Sequence, residues 1–125
     1  MGSFLIADDS PRKTQMLRTF LTHAGWTGEV LTAATTEEAI DLIDSHSIEY
    51  AFVDYFIPSR NGPTVIAHLK SLHPPARIAL VSSTDSRNNT DEALRAGAET
   101  FVCTSWESDR VERTLLALLE EWMRA

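Results

Sequence analysis

Three aspartates stand directly after short apolar runs. Asp8 and Asp9 follow Phe4-Leu5-Ile6-Ala7, and Asp54 follows Tyr50-Ala51-Phe52-Val53. If these runs are neighbouring strands, the three carboxylates converge. Unit charges about 4 Å apart repel by about 4 kcal/mol at an effective dielectric near 20. Such a group takes up protons or a cation. An oxygen donor set suits a hard divalent ion such as Mg2+ or Mn2+, bound by carboxylates, a carbonyl and waters. With the ion present, one carboxylate can attack a phosphoryl group. A hydroxyl at Ser82, which follows the apolar run Ile78-Ala79-Leu80-Val81, can hydrogen-bond a phosphoryl oxygen. Exposed strand ends are often polar, which explains one aspartate easily but three together poorly.

Something must hold these residues at one edge. The three runs already named are joined by a weaker one, Glu29 to Ala33, and by a fifth, Thr100-Phe101-Val102-Cys103. Helical patterns separate them. Pro11 suits a first helical turn, Leu17, Phe20, Leu21 and Ala24 fall at helical spacing, and Gly25 ends the segment. Thr35 and Glu38 form a capping-box pattern ahead of Ala39, Ile40, Leu42 and Ile43. Pro63 opens a helix expected to bury Val65, Ile66, Leu69 and Leu72, and Pro74-Pro75 ends it. A polar helix is predicted over 87–96, stopped by Gly97, and a last one carries Val111, Leu115, Leu118, Leu119 and Trp122 on one side. The strands are near-continuous apolar runs, so both faces of the sheet are covered. The expected class is α/β, a (βα)5 three-layer sandwich with a parallel five-stranded sheet and right-handed crossovers. Ligands of such sheets bind outside the carboxyl ends of the strands, where the aspartates lie.

The 125 residues make one domain, 1–125. A net charge of −7 argues against nonspecific binding to nucleic acid or anionic membrane. No stretch approaches the ~20 apolar residues of a membrane span, and MGSFLIADDS is not a signal peptide. The cytoplasm is the expected compartment. The single cysteine, Cys103, excludes a disulfide framework and is expected to pack as a small buried hydrophobe. The histidines are scattered over separate predicted helices, which argues against a histidine metal cluster.

The order DDSP, VDYFIPSRNG, LVSS, AGAETFV resembles the receiver domain of two-component response regulators across essentially the whole chain. The resemblance implies a flavodoxin-like fold with strand order 2-1-3-4-5. It also implies Asp54 as phosphoacceptor, Asp9 as direct metal ligand, Asp8 as an acid reaching the metal through water, and the Phe56 backbone carbonyl as a third protein ligand. Ser82 would follow the phosphoryl group, and Phe101 would be the aromatic whose rotamer reports that movement. Pro58 and Gly62 match the loop after the acceptor. The implied partners are a histidine kinase or histidine phosphotransfer protein and a downstream effector whose identity the sequence does not give. Catalysis would be limited to self-phosphorylation and self-dephosphorylation.

One departure stands out. The family places Lys-Pro after the fifth strand, where the lysine reaches the phosphoryl oxygens; this chain has Thr104-Ser105. The two lysines, Lys13 and Lys70, do not fall at strand ends, and neither is an evident substitute. Arg60 and Arg77 lie nearer the loops in sequence. The expectation is a more negative site in which Asp54 is harder to ionise without metal, and a neutral Thr104 hydroxyl holding the phosphorylated state less firmly than a charged donor would. Without proline the 104–105 peptide should be trans. Trp106 should pack against the altered loop or contribute to a partner surface. Phosphorylation is expected to survive, with weaker coupling to the face made by the fourth helix, fifth strand and fifth helix. The alternative is a pseudo-receiver, a phosphorylation-independent binding module. A haloacid-dehalogenase-type phosphatase would want an acid where Phe56 stands, and a dinucleotide enzyme would want G-x-G-x-x-G where DDSPRK stands.

Overall fold

A computed structural model describes residues 2–124. Strands and helices alternate strictly: β1 (Ser3–Ala7), α1 (Pro11–His23), β2 (Val30–Ala33), α2 (Thr36–Ser45), β3 (Ile48–Val53), α3 (Gly62–Leu72), β4 (Arg77–Ser82), α4 (Arg87–Ala96), β5 (Thr100–Cys103) and α5 (Ser108–Met123). All strand pairings are parallel, in the order β2-β1-β3-β4-β5. This is the flavodoxin-like arrangement expected. The chain reverses its direction of winding at β1, which therefore has β2 on one side and β3 on the other.

Side-chain alternation splits the interior into two cores. Leu5, Ala7, Ala51, Val53, Ile78 and Leu80 face one layer of helices, where Ile43, Val65, Ile66, Leu69 and Ala93 meet them. Phe4, Ile6, Tyr50, Phe52, Ala79 and Val81 face the other, against Leu17, Leu21, Val111, Leu115 and Leu119. Each of the fully buried Val, Leu, Ile and Phe side chains among them stabilises by about 1.5–3 kcal/mol relative to exposure. Cys103 is buried as expected. Leu72 is not: it is the last residue of α3, one turn beyond Leu69, and is 48% exposed. At the amino ends of the strands, Phe4, Trp26, Tyr50 and Trp122 form an aromatic cluster, with Tyr50 stacked on Trp122 at 5.4 Å.

The helix ends are locally encoded. The Ser10 and Thr35 side chains cap α1 and α2, accepting from Lys13 N and Glu38 N. Glu38 reaches back to Ala34 N at 2.7 Å, one residue before the position a capping box would predict. Gly25 and Gly97 adopt φ of +95° and +131° just past α1 and α4, a region open to glycine.

Candidate functional site

Register brings the acids together. Ala7 is paired with Val53, so the next residues, Asp8 and Asp54, leave adjacent strands side by side. Asp54 N donates to Ala7 O at 2.9 Å, and Asp8 N to Ala33 O at 2.9 Å. Asp8, Asp9 and Asp54 each present an oxygen within 4.8 Å of the others. Asp8 is buried, Asp9 is exposed, and the Asp54 side chain is 12% exposed.

Each oxygen of the two inner acids has a different setting. Asp8 Oδ1 accepts from Ser10 N at 2.9 Å. Asp8 Oδ2 is buried and accepts no hydrogen bond among the described residues. Asp54 Oδ1 accepts from Tyr55 N at 2.8 Å. Among the described residues no hydrogen bond reaches Asp54 Oδ2, which leaves that oxygen without a donor.

A cation is already present beside the acids, although the sequence made neither lysine an evident substitute for the missing one. Lys13 Nζ lies 2.9 Å from Asp8 Oδ2 and 3.3 Å from Asp54 Oδ1, and donates to Val81 O at 2.6 Å. The contact with Asp8 is an ion pair without hydrogen-bond geometry. Lys13 precedes Leu17 and Leu21 by four and eight residues, so it heads the buried stripe of α1. Side chains on a helix lean toward its amino end, and the amino end of α1 sits over the carboxyl ends of the strands. The first turn of α1 has no acid and carries Arg12 and Lys13. A cation there costs the helix roughly 0.3–1 kcal/mol, which the carboxylates offset. Lys70, by contrast, donates to Pro74 O and Ala76 O, and Arg77 clamps Glu99 at 2.9 and 2.8 Å.

Burial pushes the Asp54 carboxyl above its ordinary range; the Lys13 ammonium pulls it down, and the Asp8 charge adds to the rise. The direction is the one expected, but burial leads, and the site is not stripped of its counter-charge.

The hydroxyls face elsewhere. Ser82 Oγ lies 3.2 Å from Thr84 Oγ1 and accepts from Thr84 N at 3.3 Å. Thr104 Oγ1 lies 3.5 Å from Ser82 O, and Thr104 N donates to the same carbonyl at 2.8 Å. Ser105 Oγ donates to Ser83 O. The end of β5 is thus fastened to the end of β4, with a trans peptide at 104–105. Trp106 packs on this loop: its ring meets Phe101 edge to face at 5.8 Å, Arg110 lies over it at 3.7 Å, and Nε1 donates to Asp85 at 3.2 Å. Phe101 is half-buried.

The loop after Asp54 is closed by Gly62. A Cβ there would stand 2.1 Å from Asp54 O, so glycine is required for close approach, not for a left-handed backbone. Phe56, 57% exposed, lines a shallow cleft with Asp9, Ile57, Pro58, Arg60 and Asn61. Tyr55, edge-on to Phe56, donates its hydroxyl to Glu92 on α4 at 2.6 Å. Neither Lys13 nor this Tyr55–Glu92 link was identified from sequence. The signal for Lys13 was its place at the head of the Leu17–Leu21 stripe.

The clustered carboxylates and the unsatisfied Asp8 Oδ2 fit a hard divalent cation.

Residues 4–115 match the family model of the response regulator receiver domain. The chain is 30% identical to the chemotaxis protein CheY of Thermotoga maritima over 112 residues, covering 89% of this chain and 92% of the relative. It is 28% identical to CheY of Bacillus subtilis over 108 residues, covering 86% and 88%. A solved response regulator from Burkholderia pseudomallei, holding a phosphorylated aspartic acid, a calcium ion and citrate, is 25% identical with a TM-score of 0.77, covering 97% of this chain and 70% of that one.

Proposed function

Because this chain belongs to the response regulator receiver family, we propose that it takes a phosphoryl group onto Asp54 and thereby changes a partner-binding surface. The donor is a phosphohistidine on a histidine kinase or phosphotransfer protein. The observation that carries this reading is Asp54 itself, partly buried between Asp8 and Lys13 with Oδ1 held and Oδ2 free.

In the step, a lone pair on Asp54 Oδ2 forms the new O–P bond while the N–P bond of the donor breaks. The imidazole nitrogen keeps that electron pair, and the proton on the other ring nitrogen leaves the donor neutral. Tyr55 N and Lys13 orient the attacking carboxylate through Oδ1. Asp8, Asp9, Asp54 and the Phe56 carbonyl would hold Mg2+ or Mn2+, which would neutralise charge on the phosphoryl oxygens. Ser82 and Phe101 would then shift toward the phosphorylated site. No helix among the described residues is long and apolar enough to cross a membrane.

Intact-mass measurement after exposure to Mg2+ and acetyl phosphate tests the reading. The wild type should gain one phosphoryl group and Asp54→Asn none. No gain on the wild type overturns the reading, and a gain that persists in Asp54→Asn overturns the site.

A second reading is a phosphorylation-independent binding module. It draws on the hydroxyls of Ser82 and Thr104, which bond to Thr84 and to the Ser82 carbonyl and not to Asp54. It predicts that Asp54→Asn leaves partner binding unchanged.

A further inference from the structure

We propose that Lys13, carried on α1, is the cation that receives the phosphoryl group at Asp54, in the role the family gives to a lysine after β5. The inference rests on the phosphoacceptor reading above.

Four observations converge. Lys13 is the one cation paired with Asp54 among the described residues, at 3.3 Å. Its ammonium is fixed on the β4 side of the site by Val81 O at 2.6 Å. Asp9 and Phe56 line a separate open cleft in which a metal would be approached. Finally, the side chain is only 11% exposed and the first turn of α1 is otherwise a poor place for a cation.

An ammonium has three donors and no acceptor. In the unphosphorylated chain one is donated to Val81 O, and the charge is shared between ion pairs with Asp8 and Asp54. Phosphorylation of Asp54 on Oδ2 removes the charge from Oδ1, which becomes a carbonyl, and places a dianionic phosphoryl group on Oδ2. The ammonium then turns from Oδ1 to the phosphoryl oxygens, and α1 is the element it pulls. Thr104, fastened to the Ser82 carbonyl, is left out of the exchange.

The test compares wild type, Lys13→Met, Lys13→Gln and the double variant Lys13→Met/Thr104→Lys. Phosphorylation by acetyl phosphate with Mg2+ is followed by intact mass. Mn2+ binding without phosphodonor is followed by electron paramagnetic resonance. Loss of the charge-assisted contact should slow phosphorylation of Lys13→Met at least about tenfold. Loss of the neighbouring positive charge should tighten Mn2+ binding at least about threefold. The double variant should recover most of the rate, because the same charge returns from β5. Lys13→Gln keeps a donor for Val81 and changes only the charge, so it carries the same expectation should Lys13→Met fold poorly. Rates and Mn2+ affinities within about twofold of wild type in a folded Lys13 variant overturn the proposal alone. A wild type that gains no phosphoryl group overturns the phosphoacceptor reading and this proposal with it.

Discussion

The Tyr55 hydroxyl donates to Glu92 at 2.6 Å, joining the residue after Asp54 to the middle of α4. The bond crosses from the loop after Asp54 to a neighbouring helix that also packs against α3. The hydrogen bond to Glu92 is also the leading cause that raises the Tyr55 phenol above its ordinary range.

Tyr55→Phe should therefore loosen α4 without unfolding the domain. Amide exchange in residues 87–96 should speed by about threefold, while β1 and β3 amides stay unchanged. The raised phenol sets the pH dependence. The link is fully present below the ordinary tyrosine range and is lost as pH rises through the folded-state value, so wild type should come to resemble Tyr55→Phe only in strong alkali. Equal α4 exchange in both proteins at neutral pH would remove the link from the account.

Asp54 is held at a cost to stability. Its carboxyl is raised chiefly by burial, so ionisation favours the unfolded chain. Stability from this group is fully present below its unfolded value and is lost as pH rises through the folded value. Asp54→Asn should raise stability at pH 7 by on the order of 1 kcal/mol, and the gain should vanish in acid. Paired urea titrations at pH 7 and pH 3 would show it. A variant less stable than wild type at pH 7 would mean that the Lys13 contact outweighs burial.

Gly62→Ala should cost about 2 kcal/mol. The added Cβ would meet the Asp54 carbonyl at 2.1 Å, and backbone on a buried strand end cannot give way as a flexible side chain would. A thermal midpoint within a degree of wild type would contradict the close approach.

Phe56 stands two residues after Asp54, largely exposed, at the cleft that Asp9 also lines. On the phosphoacceptor reading its ring obstructs hydrolytic water. Phe56→Asn should shorten the phosphoryl half-life by at least about threefold, measured by acid-quenched time courses. An unchanged half-life would reject the obstruction.

The strands could be read from sequence because the apolar runs are short and alternate with longer helical patterns, and the convergence of Asp8, Asp9 and Asp54 followed once the family resemblance made the first and third runs neighbours. Helix starts were legible where capping residues declared them, as at Thr35. Lys13 was not legible by the same rule. A search for residues just after strands overlooks a long side chain that starts on a helix and travels back along it. The hydroxyl directions of Ser82 and Thr104 were also beyond reach. They depend on how the β4 and β5 ends are stitched together, through Thr84 and the Ser82 and Ser83 carbonyls, and composition does not encode that. Leu72 failed for a simpler reason: periodicity continues to the end of a helix, while the core beneath it does not.

The three tryptophans divide the molecule optically. Trp26 and Trp122 belong to the aromatic cluster at the amino ends of the strands, whereas Trp106 touches Phe101, Arg110 and Asp85 at the opposite rim. Their emission therefore sums two rings in the cluster and one, the indicator, beside β5. Subtracting the spectrum of Trp106→Phe from that of the wild type would isolate the indicator, giving the chain an intrinsic, label-free gauge of events beside β5.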